Sequence, residues 1–344
     1  MKSVVLARGL GGKPKVEVVE LGQPTAGSGE IVVAMKACGL CGTDLEKIRG
    51  EYTASMPVIG HEAVGVVSSV GERVEGHNVG DRVFPHHHVP CYECELCKAG
   101  SETMCEKYRT SNIVPGGFSD YFRVPEWNVS KGGVLRLPDS VPFEAASLIE
   151  PLACCVRALR RCKVMPGDSV LVVGAGPVGM SHALVLEQMG AKVMLSDVSE
   201  ARLDFAAEAG FATVLNAAKE DVPSRVTSET GGLGADVAIV ATGSKQAIVQ
   251  GLRSIRKGGK VCLFGVPTKG SVLDYDVSEL YNSEQQIITS YAATEDDTKE
   301  ALRIISSNTS DFGRLVTHRF PLSRFSEAVE VASSARSMKV VLTP

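Results

Sequence analysis

The chain has 344 residues, 44% hydrophobic and 22% charged, with a formal net charge of −4. That length suits roughly two domains, each with a large core, and the composition is that of an ordinary globular protein. The charge offers no basic field for nucleic acid, and no apolar run approaches the roughly 18 residues needed to cross a bilayer. The N-terminal segment turns polar by Arg8 and lacks the apolar stretch of an export signal. Ten cysteines in such a chain point to a reducing compartment, the cytoplasm, and to metal or chemistry as their use.

In chain order, the first 150 residues carry short β-branched runs separated by glycines: 29–35, 61–70 and 81–85. This pattern predicts a bent all-β unit rather than helices. From about Pro166 strands and helices alternate. A strand at 169–173 is followed by a helix from Pro177 to about Met189, a strand ending at Asp197, a helix over 200–208, and further strands up to 287–291. Continuous apolar strands joined by helices predict a parallel sheet covered on both faces. The remaining residues contain an amphipathic helix over about 296–307 and a closing strand, both expected to return to the first domain. The expected domains are thus 1–152 with 292–344, and 153–291.

Cys91-x2-Cys94-x2-Cys97-x7-Cys105 places four thiolates close enough to close one tetrahedral shell. Zinc suits four soft sulfurs with no open position. An iron–sulfur cluster is the alternative, although the fourth cysteine comes late for the ferredoxin run and Glu106, not proline, follows it.

Gly174-Ala-Gly176-Pro177-Val178-Gly179 follows a strand and opens a helix, the context in which this pattern binds a dinucleotide. The first glycine allows a tight turn, the second a close approach to a pyrophosphate, and the third close helix–strand packing. The helix N-terminus holds the anion, and Pro177 fits a first helical position. Asp197 ends the next strand, where a carboxylate accepts from ribose hydroxyls and repels a 2′-phosphate. NAD is therefore favoured over NADP. Arg202 adds a contact that softens the preference. A helix-capping aspartate is the plainer alternative for Asp197.

Cys41-Gly42-Thr43-Asp44, Gly60-His61-Glu62 and Glu150-Pro151 supply further ligand types. With them the chain resembles the zinc-dependent medium-chain alcohol dehydrogenases, in their sorbitol/polyol and threonine dehydrogenase branch, over essentially its whole length. Gly60-His61-Glu62-x2-Gly65-x5-Gly71-x2-Val74 is the most specific match. The resemblance implies a GroES-like β-rich catalytic domain, with a structural zinc lobe at about 86–108, joined to a doubly wound parallel-sheet (Rossmann) nucleotide-binding domain. It implies a catalytic zinc on Cys41, His61 and Glu62, with Glu150 either coordinating the metal or holding its water, and a structural zinc on the four cysteines.

It also implies that Asp44 orients His61 and that Thr43 takes the hydroxyl proton. Glu46 stands where the family often has a relay histidine. One thiolate, one imidazole and one carboxylate nearly neutralise Zn²⁺ and leave one position open, where an alcohol becomes acidic. The resemblance further places His87, His88 and Tyr291 at the substrate. Thr242, Val266 and the pyrophosphate-reaching Lys339 are placed at the cofactor, with Gly174, Gly176, Pro177, Val178, Gly179, Asp197 and Arg202.

A histidine-lined pocket favours a hydroxylated substrate. The expected activity is NAD-dependent oxidation of a secondary alcohol of a polyol or sugar to a ketone, with two zinc ions per chain. The alternatives are an L-threonine 3-dehydrogenase, which His88 supports, a sugar C1 dehydrogenase, and a catalytically idle NAD- and zinc-binding protein. The expected partner is a small hydroxylated molecule, not nucleic acid or membrane, in a homodimer or homotetramer.

Overall fold

The computed structural model describes residues 1–8, 14–51, 56–307 and 311–344. It divides into two compact units, Met1–Ala153 with Ala293–Pro344, and Cys154–Ala292. The first unit holds β1 (Lys2–Arg8), β2 (Pro14–Glu20), β3 (Ile31–Gly39), β4 (Glu62–Val70), β5 (Arg82–Pro85), β6 (Tyr121–Val124) and β7 (Val134–Arg136). The second holds β8 (Ser169–Val173), β9 (Lys192–Asp197), β10 (Thr213–Asn216), β11 (Ala235–Val240), β12 (Ile255–Leu263) and β13 (Gln286–Thr289). The chain then returns to the first unit with β14 (Val316–Pro321) and β15 (Lys339–Thr343).

In the first unit β1 and β2 form an antiparallel hairpin, while the main sheet runs β14-β15-β3-β4-β5-β7 with β6 also paired to β3. Alternation along β3 sends Ile31, Val33 and Met35 into a core shared with Val4, Phe118, Phe122 and Leu342. Two registers matter for the site. Gly39 at the end of β3 lies opposite Glu62 on β4, and also opposite Val341 on β15. The end of β3 thus draws Glu62 and the start of β15 to one place.

The first 150 residues are not free of helices, contrary to the sequence expectation, while the helix expected at about 296–307 is present as Glu295–Ser306. A helix covers Gly42–Arg49 and another, Ile149–Cys162, begins before the boundary at Ala153, with short turns at Glu95–Lys98, Glu106–Thr110, Glu126–Ser130 and Phe143–Ala146. Most are a single turn, too short for apolar periodicity to show. Gly42–Arg49 begins at a cysteine, which is outside the usual capping set. Its N-terminal signal is instead the Asp44 carboxylate, which accepts from the Cys41 N–H at 3.1 Å.

The second unit is a six-stranded sheet in the order β10-β9-β8-β11-β12-β13, parallel at every pairing. Strand order reverses between β8 and β11, so the crevice at their carboxyl ends is where such a sheet takes a ligand. No helix among the described residues is long and apolar enough to cross a membrane.

Candidate metal and cofactor sites

The four lobe cysteines converge. Their sulfurs lie 3.9 Å apart for Cys91–Cys97, 3.5 Å for Cys94–Cys97 and 3.5 Å for Cys91–Cys105. A tetrahedron with metal–sulfur bonds of about 2.3 Å has edges of about 3.8 Å, so the spacing fits one zinc. Backbone N–H groups of Glu93 and Cys94 donate to the Cys91 sulfur and hold its thiol down at about 6. Such donation favours the thiolate that a metal needs.

The lobe is tied to the rest of its unit by a buried carboxylate. Glu295, 3% exposed, accepts from His86 Nδ1 at 2.7 Å and from the Tyr92 hydroxyl.

A second group gathers Cys41, His61 and Glu62, with one ligand atom from each within 4.8 Å of the others. Local structure explains each position. Cys41 precedes the helix Gly42–Arg49, and Glu62 opens β4. Gly60 has φ of +93°, and a Cβ there would meet Phe118 Cγ at 2.7 Å, so only glycine lets the chain deliver His61 from this turn.

Asp44 is fully buried and faces both ligands that flank it. One oxygen lies 3.4 Å from His61 Nδ1, and the other takes the Cys41 N–H. Burial alone would push the His61 imidazole down, but the charges of Asp44 and Cys41 raise it well above its ordinary value. The site therefore favours positive charge, as a group of one cysteine sulfur and two carboxylates should.

Lys339 was expected at a pyrophosphate. Its ammonium is buried against Glu62, 2.5 Å from Oε1 and in contact with the other oxygen. The pair fits because residue 39 is glycine: a Cβ would stand 1.9 Å from Glu62 Oε2 and 2.7 Å from Lys339 Cε. Burial would lower the Lys339 amine, but the Glu62 charge outweighs it and raises the amine above its usual range. The Glu62 carboxyl is raised by burial and by Glu150, against the opposing charge of Lys339. Sequence reading missed this pair, and the signal that remained was a glycine and a lysine at two strand ends.

Glu150 is buried near enough for its charge to act on Glu62, but it lies outside the ligand group. Of the two completions left open by the sequence, the geometry gathers Glu62. Thr43 and Glu46 share a face of the helix Gly42–Arg49, and Glu46 is raised by partial burial and by Glu51.

His87 stands next to His61, ring centroids 5.1 Å apart, and against His88 at 4.2 Å. Burial drives His87 well below its ordinary value and His88 to about 4, so both rings are neutral. His88 Nδ1 lies 2.6 Å from the Ser111 carbonyl. A carbonyl only accepts, so this nitrogen carries the proton and Nε2 is left as an acceptor.

In the second unit Gly174 turns with φ of +101°, and a Cβ on Gly179 would stand 1.7 Å from the Gly174 carbonyl. The helix Pro177–Gln188 therefore lies as close to the turn as a dinucleotide cradle requires. Asp197, at the end of β9, is 7% exposed and accepts from Ala175 N–H at 2.8 Å and Ser199 N–H at 2.9 Å. Arg202 lies 3.5 Å from the same carboxylate, beside Gly176. Thr242 and Val266 are brought together, since a Cβ on Gly265 would stand 2.3 Å from the Thr242 carbonyl carbon and one on Gly243 2.3 Å from the Val266 oxygen. Tyr291 belongs to this unit and is 45% exposed.

Comparison with known proteins agrees with this geometry. The alcohol dehydrogenase GroES-like domain matches residues 27–139, and the zinc-binding dehydrogenase domain matches 177–307. The chain is 32% identical to an L-galactonate-5-dehydrogenase of Escherichia coli (strain K12), over 93% of each. It is 31% identical to an L-threonine 3-dehydrogenase of Deinococcus deserti, over 94% of each. Among solved structures, alcohol dehydrogenase TADH from Thermus sp. ATN1 superposes with a TM-score of 0.89 at 28% identity, covering 100% of this chain and 99% of that one. With the cysteine lobe, the Cys41–His61–Glu62 cluster and the glycine cradle all in place, the chain belongs to the zinc-binding dehydrogenases of the alcohol dehydrogenase family.

Proposed function

We propose that the protein oxidises a secondary alcohol on a hydroxylated substrate, a polyol or sugar derivative, to a ketone, with NAD as acceptor. The observation that carries this reading is the convergence of Cys41, His61 and Glu62 on one point. Cys41, His61 and Glu62 would hold a zinc ion, which would supply the acidification of an alcohol hydroxyl, and NAD would supply the hydride acceptor.

The remaining work falls to side chains. Asp44 holds the His61 proton on Nδ1 and so turns Nε2 toward the metal position. Lys339 balances Glu62 and fixes its carboxylate. Thr43 Oγ accepts the substrate's hydroxyl proton as its own hydroxyl proton leaves toward Glu46, one turn further along the same helix, which carries it outward. Glu150 holds water or contributes a further oxygen. His87 and His88 stand beside the metal position, and Tyr291 is assigned to the substrate by the family resemblance alone. In the second unit Asp197 accepts from the ribose hydroxyls, and the N-terminus of the helix Pro177–Gln188, with Gly176 and Val178, receives the pyrophosphate. Thr242, Val266 and Arg202 complete the cofactor contacts.

His88 and the 31% identical L-threonine 3-dehydrogenase support threonine as a second reading. A cytoplasmic homodimer or homotetramer is the expected working form.

Replacing Cys41 with Ser tests the assignment. Zinc content should fall from two per chain to one, with turnover abolished and NAD binding retained. Full activity, or two zinc ions still bound, would remove Cys41 from the site.

A further inference from the structure

Lys47 has no role in the chemistry described so far. It lies on the helix Gly42–Arg49, one turn beyond Asp44 and four residues after Thr43, so it shares the face that carries both. It is half-buried, and no carboxylate among the described residues pairs with it. Its neighbour Glu46 responds instead to Glu51 and Arg49. Burial is the main cause that keeps His87 and His88 neutral, and the Lys47 charge is a minor contributor at both rings and at Asp44. Asp44, one turn before Lys47 on the same helix, is 3.4 Å from His61, so Lys47 lies on the side of the helix that carries the metal cluster.

We propose that Lys47 is the anion-recognition residue of this pocket and that the preferred substrate is a secondary alcohol carrying a carboxylate. The inference rests on the dehydrogenase reading above and narrows its substrate class. A half-buried lysine with no carboxylate partner among the described residues is stabilised most by an anion arriving with the ligand. The adjoining His88 offers the Nε2 acceptor, which suits a hydroxyl donor rather than a second anionic oxygen. One cation beside one acceptor matches a hydroxy acid. A phosphate dianion would call for more than one positive charge, and an alditol would leave the ammonium unmatched.

The test uses the zinc-loaded enzyme and follows NAD reduction with a six-carbon alditol, its aldonate, its phosphate ester and L-threonine. The unmutated enzyme should prefer a carboxylate substrate in kcat/KM. Lys47→Met should lower the ratio of carboxylate to alditol kcat/KM about tenfold, chiefly through KM, and Lys47→Arg should restore most of it. An unchanged ratio in Lys47→Met would overturn the role of Lys47. Turnover of the alditol but not of either carboxylate would overturn the inference and leave the dehydrogenase reading standing. Preference for the phosphate ester would overturn the carboxylate assignment. A flat response to the whole panel would remove the reading and the inference together.

Discussion

Lys339 and Glu62, 277 positions apart, meet as a buried ion pair behind the Cys41–His61 cluster, with the ammonium 2.5 Å from Glu62 Oε1. Glu62 is fully buried and Lys339 is 5% exposed, so removing one partner strands a charge in the core. Lys339→Met should destabilise the protein by about 3–5 kcal/mol, and Lys339→Met with Glu62→Gln should recover most of the loss. Urea unfolding of the metal-stripped single and double variants measures this. Equal instability in both would show that the pair contributes nothing as a pair.

Asp44 is expected to act through His61 and Cys41 rather than on the metal itself. Asp44→Ala should weaken zinc binding at this cluster about 10–100-fold and leave the four-cysteine lobe filled. Competition with a chromophoric chelator would show one tight zinc and one loosened zinc. Two equally tight ions in Asp44→Ala would contradict the orienting role.

Acid should weaken the fold through its buried histidines. Burial holds His182 at about 3 and His88 at about 4, below the value of about 6.5 in an unfolded chain. The unfolded state therefore takes up protons first. Stability is fully present above pH 6.5 or so and is lost as pH falls toward the folded values. Each such histidine costs at most about 2 kcal/mol at pH 5. His182 is fully buried, both its ring nitrogens lack hydrogen-bond partners among the described residues, and its ring stands edge-on to Phe264 at 4.6 Å. His182→Leu should thus be neutral or stabilising at pH 7 and should flatten the decline between pH 7 and 5. Parallel urea titrations at the two pH values are the measurement, and an unaltered decline would refute it.

Asp197→Ala should raise KM for NAD and bring NADP toward equal use, because it removes both the ribose acceptor and the charge opposing a 2′-phosphate. Arg202 then loses its carboxylate partner and becomes available to the phosphate. The ratio of kcat/KM for the two cofactors reports the change. Equal use of both by the unmutated enzyme would already overturn the assignment.

What the sequence revealed and what it hid differ in how far apart the partners lie. Cys91 to Cys105 and Gly174 to Gly179 each sit within one local motif, so spacing alone pointed to a metal shell and a phosphate cradle. The parallel sheet was legible because β8, β9 and β11 are continuous apolar runs between helices. The pairing of Lys339 with Glu62 was not legible because it depends on β15 adding to β3, a register that apolar patterning cannot specify to the residue. The helix Ile149–Cys162, which carries Glu150, was hidden by Pro151 and by an apolar run that reads equally well as a buried strand. Lys47 drew no notice because a lysine in the last turn of a helix is ordinary; its significance came from what surrounds it.

The contact between Tyr92 and Glu295 has a consequence for how the chain is threaded. After the second unit the polypeptide rejoins the first at Ala293, and Glu295 is held almost at once, clasped by His86 and by the tyrosine adjoining Cys91. The cysteine loop therefore secures the seam where an inserted domain ends and its host resumes. Emptying that loop of its ion would fray the join and, with it, the start of the helix Glu295–Ser306.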